Sequence, residues 1–195
     1  FFNIHNFKYV NKVFPYAEGD VILRKYATYV DQRVGSDGIV ARLGGDNFVA
    51  LVRNEYIEDY IHMLQNVRIS HSTEEKKKEF VFGATIGVSA LNDIETPRDV
   101  LAHASIAYQA ARIRGVGTLV YYSEGIHKRL MENQTIISQF VPSLEAGEFV
   151  VYYQPKVNVS DRTLCGAEAL VRWIHEGRLI PPMQFVPQLE REGSI

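Results

Sequence analysis

The chain has 195 residues, is 46% apolar and 23% charged, and carries a formal net charge of -2 at neutral pH. That is soluble globular material, long enough for one full core and part of a second, with no basic excess to suggest a nucleic-acid partner. No apolar run approaches the ~18–20 residues of a membrane span, nothing reads as a signal peptide, and the single cysteine, Cys165, excludes an internal disulfide and points to a reducing, cytoplasmic setting.

The sequence opens on a strand-like segment, Phe1 to Phe7, in which Phe2 and Ile4 alternate with Asn3 and His5. Gly19-Asp20 then opens a helix with Val21, Ile22, Leu23, Tyr26 and Val30 on its apolar face. VARLGGDNFVALV, residues 40–52, is a β-hairpin whose Gly-Gly-Asp-Asn tip suits positive φ. A second helix is expected from Tyr56 to Ile69, followed by a solvated loop or helix end over Thr73 to Glu79. Phe80 to Ala90 reads as one strand with a glycine-permitted bend. Pro97 starts a helix that runs to about Arg114, and Thr118 to Tyr122 is a closing strand. Strands and helices alternating around one antiparallel hairpin predict a ferredoxin-like α+β sheet.

After Tyr122 the pattern changes. Ser123-Glu124 opens a helical stretch that Pro142 should break or restart. Two strands follow, Glu148 to Val159 and Thr163 to Ile174, joined at Asp161-Arg162, and Pro181-Pro182 starts a last helix. The expected division is 1–122, a helical linker over 123–147, and 148–195. Val150, Tyr152, Ala169 and Trp173 are expected to need an apolar partner surface. Both ends of the sequence read as cut from a longer protein.

The order and spacing of FFNIHNFKYVN, EGD, RLGGDNF, FGATIGVS and AYQAA, then FVVYYQPKV, GAEALVRW and PPMQFVPQLEREG, span nearly the whole chain. Taken together they resemble the bacterial GGDEF–EAL proteins, which make, break or sense cyclic di-GMP. The resemblance implies a palm-like cyclase sheet followed by the first strands of an incomplete EAL β/α barrel. In active cyclases of this family, carboxylates on the first strand and the hairpin hold two divalent ions, Mg²⁺ or Mn²⁺, on GTP. A second domain supplies the attacking 3′-hydroxyl, which implies a homodimer.

Against that pattern, Asp46 keeps the first hairpin acid and Asn47 replaces the second. Asn3 replaces the first-strand Asp, and His5 stands at the next acid. Ala111 stands at the phosphate-contacting Lys, and the inhibitory Arg-x-x-Asp motif falls on Gly35 to Gly38 and is absent. Neutral amides are poor ligands for hard cations. The guanine readers Asn11 and Asp20 are present, and Lys8 completes the FK pair; from the residues alone, Asn11 could equally be a turn residue and Asp20 a helix N-cap. In the EAL part, Glu168 matches the metal-binding Glu, Arg172 the phosphate-contacting Arg and Gln154 the ligand-side Gln for cyclic di-GMP. A barrel of this kind runs to about 250 residues, so the 48 from Glu148 to Ile195 cannot hydrolyse anything alone.

The expected function is a GTP-sensing or dimerising GGDEF module that controls an adjoining EAL phosphodiesterase. Two alternatives are a slow diguanylate cyclase, with His5 or water replacing a lost ligand, and a scaffold without nucleotide. His62, His71, His103 and His127 show no metal-ligand spacing and read as core or surface residues.

Overall fold

The computed structural model describes residues 1–74, 76–91 and 96–195, with backbone only at residue 37. The chain divides into two compact units, Phe1–His127 and Lys128–Ile195.

The first unit runs β1 (Phe2–Ile4), α1 (Phe7–Val13), α2 (Tyr16–Val34), β2 (Ile39–Gly44), β3 (Asn47–Leu51), α3 (Ile57–Leu64), β4 (Val67–Ser72), β5 (Lys77–Phe82), β6 (Ala84–Val88), α4 (Pro97–Arg114) and β7 (Leu119–Tyr121). Five strands form one sheet in the order β2-β3-β1-β6-β7, antiparallel except for the parallel pair β6–β7. This is the α+β palm expected from the alternation of elements.

Successive side chains of a strand point to opposite faces. Phe2 pairs with Phe48 and with Ile86, and these residues sit in the main core with Val10, Ile22, Tyr26 and Val30 from α1 and α2. The neighbouring register therefore places Asn3, Asn47 and Thr85 together on the other face. α4 packs on β6 and β7. A Cβ at Gly87 would lie 2.1 Å from the Tyr108 nitrogen and 2.4 Å from the Ala104 oxygen, so only glycine allows this approach.

Several boundaries differ from the pattern reading. The Phe1–Phe7 strand ends at Ile4, and Phe7–Val13 is helical instead, entered through Asn6 at φ 61°. α2 starts at Tyr16, so Asp20 lies inside the helix and is not its N-cap. The helix expected to Ile69 stops at Leu64: Val67, Ile69 and His71 are buried while Arg68, Ser70 and Ser72 are exposed, a period of two that belongs to a strand. Its partner is β5, so Lys77, Lys78 and Glu79 are strand residues and not loop, with Glu79 within 3.7 Å of Arg68. Glu75, in the same predicted loop, lies outside the described residues. Phe80 to Ala90 is two strands in two sheets, separated at Gly83.

α5 (Glu124–Glu145) runs from the first unit into the second and contains Pro142 without ending there. The Ala146 N–H donates to the Pro142 carbonyl at 2.9 Å, closing the final turn beyond the proline. β8 (Phe149–Val157), β9 (Leu164–His175) and β10 (Arg178–Ile180) form an antiparallel sheet, and α6 (Pro182–Glu192) follows. β10 was not anticipated; Glu176 and Gly177 both take positive φ, as a tight hairpin turn requires. Trp173, Phe185 and Leu189 form the core of this unit, packed by Ile136, Phe140, Phe149 and Ile180. The expected apolar set divides: Trp173 is buried beside its partner Phe149, whereas Val150 and Tyr152 pair with Arg172 and Leu170 on the opposite face. Tyr152 and Ala169 remain exposed, and among the described residues no closed barrel is formed.

Candidate functional site

The hairpin tip is built by its glycines. Gly44 and Gly45 have φ of 148° and 56°, and the register shifts between Arg42 and Gly44. That bulge turns Asp46 and Asn47 back over β1. The Ile4 N–H donates to the Asp46 carbonyl at 3.0 Å, and the Asn3 side chain lies beneath the tip. Asn3 Nδ2 donates to Asp46 Oδ1 at 2.7 Å, to Asn47 Oδ1 at 3.1 Å and to the Asp46 carbonyl at 3.3 Å. Asn47 Nδ2 donates in turn to the Gly44 carbonyl at 3.3 Å.

His5, two residues beyond Asn3, turns to Thr85, the residue of β6 paired with Asn3. Its Nε2 is held by the Thr85 hydroxyl and accepts from the Gly117 N–H at 3.3 Å. Burial lowers its pKa from the ordinary value, favouring the neutral ring.

Two neighbours escaped the sequence reading. Tyr108 on α4 packs tilted against the Phe1 ring, centroids 4.8 Å apart, and hydrogen-bonds Arg112. Burial pushes the Tyr108 hydroxyl up, Arg112 pulls it down, and Asp46 is close enough to raise it again. Arg112 stands one residue beyond Ala111, which is itself fully buried. The i, i+4 spacing of Tyr108 and Arg112 was the available signal.

Of the other first-unit candidates, Asp20 is tied to the same hairpin. Asp20 lies 3.4 Å from Arg42, whose Nε donates to the Gly45 carbonyl at 2.7 Å. Asn11 sits on α1 beside Gly19, so close that a Cβ there would meet Asn11 Oδ1 at 2.4 Å. That Oδ1 is buried without a hydrogen-bond partner. Lys8 is exposed on the first turn of α1.

In the second unit, Gln154 pairs across the ladder with Glu168, and Arg172 shares their face with its guanidinium 5.6 Å from the Tyr152 ring centre. Glu168 is exposed and bridged to Lys156 at 3.2 Å. A separate network, not foreseen, centres on Glu148. Its carboxylate accepts from Trp173 Nε1 at 3.1 Å and lies 2.7 Å from His175 Nδ1. Hydrogen bonds from buried Ser143, then from His175 and Trp173, hold its pKa below the ordinary carboxylate value.

Among the described residues no group of three or more His, Cys, Asp or Glu side chains could hold one metal ion. The Mg²⁺ or Mn²⁺ implied by the family does not fit the hairpin as it stands. One carboxylate is present, and an N–H donor already faces it. Nor is any helix of the described residues long and apolar enough to cross a membrane.

A five-stranded palm with a Gly-Gly-Asp hairpin against its central strand defines a nucleotide-cyclase-like domain. The model of the diguanylate cyclase GGDEF domain matches residues 1–117 and that of the EAL domain residues 137–195. The chain belongs to the GGDEF family and continues into an EAL segment. It is 29% identical over 199 residues to the bifunctional diguanylate cyclase/cyclic di-GMP phosphodiesterase MucR of Pseudomonas aeruginosa, covering 100% of this chain and 29% of that protein. It is 26% identical over 199 residues to the cyclic di-GMP phosphodiesterase PdeR of Escherichia coli, covering 100% and 30%. The chain thus spans less than a third of these relatives. In fold it is similar to the GGDEF domain of TpbB (YfiN) from Pseudomonas aeruginosa, with a TM-score of 0.55 at 22% identity over 67% of this chain and 78% of that one. An EAL/GGDEF domain protein from M. capsulatus gives 0.50 at 24% identity, over 63% and 81%. The chain is a fragment of a GGDEF–EAL cyclic di-GMP signalling protein.

Proposed function

We propose that the GGDEF unit is a regulatory GTP-binding module without cyclase activity, and that it controls cyclic di-GMP hydrolysis by the completed EAL domain of its parent. The observation that carries this reading is the hairpin: a single carboxylate, Asp46, is engaged by the Asn3 amide where a cyclase would present acids to metal. Phosphoryl transfer depends on such ions to clamp the triphosphate and absorb developing charge. The base-reading side is better preserved. Asp20 lies at the mouth of the hairpin through Arg42. Asn11 holds a buried acceptor with no partner, a state that costs roughly 1–3 kcal/mol. Lys8 adds a nearby positive charge on the same helix as Asn11. In the parent, Glu168 would bind the divalent ion, and Arg172 and Gln154 would contact cyclic di-GMP.

Calorimetric titration of GTP with Mg²⁺ tests the nucleotide half. Binding should be weak, and Asp20→Ala should cost more affinity than Asp46→Ala. The opposite order, or no heat with either protein, overturns the assignment of Asp20 as a base reader.

A further inference from the structure

We infer that the Asn3 amide nitrogen takes the place of a cation at the hairpin, and that Asn3 and Asn47 together make the tip a self-closed site that rejects divalent metal. The inference deepens the proposed lack of cyclase activity, but it rests on the hairpin geometry and not on nucleotide binding.

The orientation of Asn3 is forced by its neighbours. Two of the three oxygens around Nδ2 are the Asp46 carboxylate and the Asp46 backbone carbonyl, which are acceptors only, so the NH₂ end must face them. The third, Asn47 Oδ1, is oriented by its own amide, which donates away to the Gly44 carbonyl. The hydrogen-bond chain from Asn3 through Asn47 to Gly44 therefore has one consistent direction. Neither replacement alone would complete it. An acid at 47 would put a second carboxylate beside Asp46, and an acid at 3 would face the Asp46 carboxylate with another.

Size works against an ion as well. The oxygens stand 2.7, 3.1 and 3.3 Å from the nitrogen. Mg²⁺ binds oxygen at about 2.0–2.1 Å in near-octahedral geometry. Metal entry would require the tip to contract onto β1 and the amide to leave, forfeiting three hydrogen bonds for one carboxylate ligand. The site holds a single negative charge, where an acid pair would hold two.

The test uses Mn²⁺ alone with the 195-residue chain, counting free ion by electron paramagnetic resonance. The wild type should show no Mn²⁺ site that Asp46→Asn removes. Asn3→Asp should create one, at least about tenfold tighter than any wild-type binding, within the range by which altered ligand shells change metal affinity. Asn3→Asp combined with Asp46→Asn should lose it again. In the wild type, nuclear magnetic resonance should find the Asn3 side-chain amide protons protected from solvent exchange and unmoved by Mg²⁺. A wild-type Mn²⁺ site dependent on Asp46, no gain in a folded Asn3→Asp, or an Asn3 amide exchanging like an exposed one would each overturn the inference. The amide measurement needs no variant, so it decides the matter even if Asn3→Asp does not fold.

Discussion

At the scale of single residues, Asn3 and Asn47 act as a unit, because the Asn3 amide donates to the Asn47 side-chain oxygen and the Asn47 amide donates on to the Gly44 carbonyl. Incubated with GTP and either Mg²⁺ or Mn²⁺, the chain is expected to form no cyclic di-GMP detectable by chromatography; turnover that Asp46→Ala abolishes would contradict this. The motifs made these positions legible, since both substitutions could be read directly against the family pattern. That the two amides bond to each other was not legible, because it depends on the register of β1 against β3. The Tyr108–Arg112 hydrogen bond was not legible either, because position 111 is alanine and the arginine stands one residue further on. Glu148 carries a prediction in pH. Its folded-state pKa lies below the ordinary value of about 4.5, so its stabilising contribution is complete above that value and is lost as pH falls through the lower, folded value. Glu148→Gln should therefore destabilise the second unit at neutral pH, and the gap to wild type should narrow below about pH 4.5. Trp173, the only tryptophan and a hydrogen-bond donor to Glu148, reports this unfolding by its fluorescence.

At the scale of elements, periodicity identified the two long helices and the hairpin because each is amphipathic over many residues. It failed where a short strand follows a short helix. Ile57 to Ile69 keeps apolar residues at helical spacing, and the change to a period of two at Val67 becomes visible only once β5 is seen to pair with it. α4 depends on a different kind of constraint. Its approach to β6 is set by Gly87, where an added methyl would meet backbone atoms that cannot rotate away. Gly87→Ala should destabilise the first unit by about 1–3 kcal/mol, as overpacking of a closed interface does, measured by denaturant titration followed by circular dichroism. An unchanged midpoint would mean that α4 can lift from the sheet at little expense.

At the scale of the whole molecule, the chain holds the GGDEF domain and the opening of an EAL domain, with α5 as the covalent route from one unit to the other. If that route transmits a signal, GTP should alter cyclic di-GMP hydrolysis by the full-length parent, and Asp20→Ala should remove the response. Glu168→Ala should abolish hydrolysis altogether, because a methyl group cannot replace a metal-binding carboxylate. Rates that do not respond to GTP in either protein would leave the GGDEF unit as scaffold.

The sheet of the second unit has a consequence for handling the isolated chain. β8 is a nine-residue strand at the edge of its sheet, and Val151, Tyr153 and Val157 on it are exposed. Such an edge offers unpaired backbone donors and acceptors, beside apolar side chains, to any other chain that meets it. In a complete barrel that edge would be closed. In the 195-residue piece it is a template for strand addition between copies, so self-association should grow with concentration through backbone pairing at β8, independently of any dimer the GGDEF unit forms.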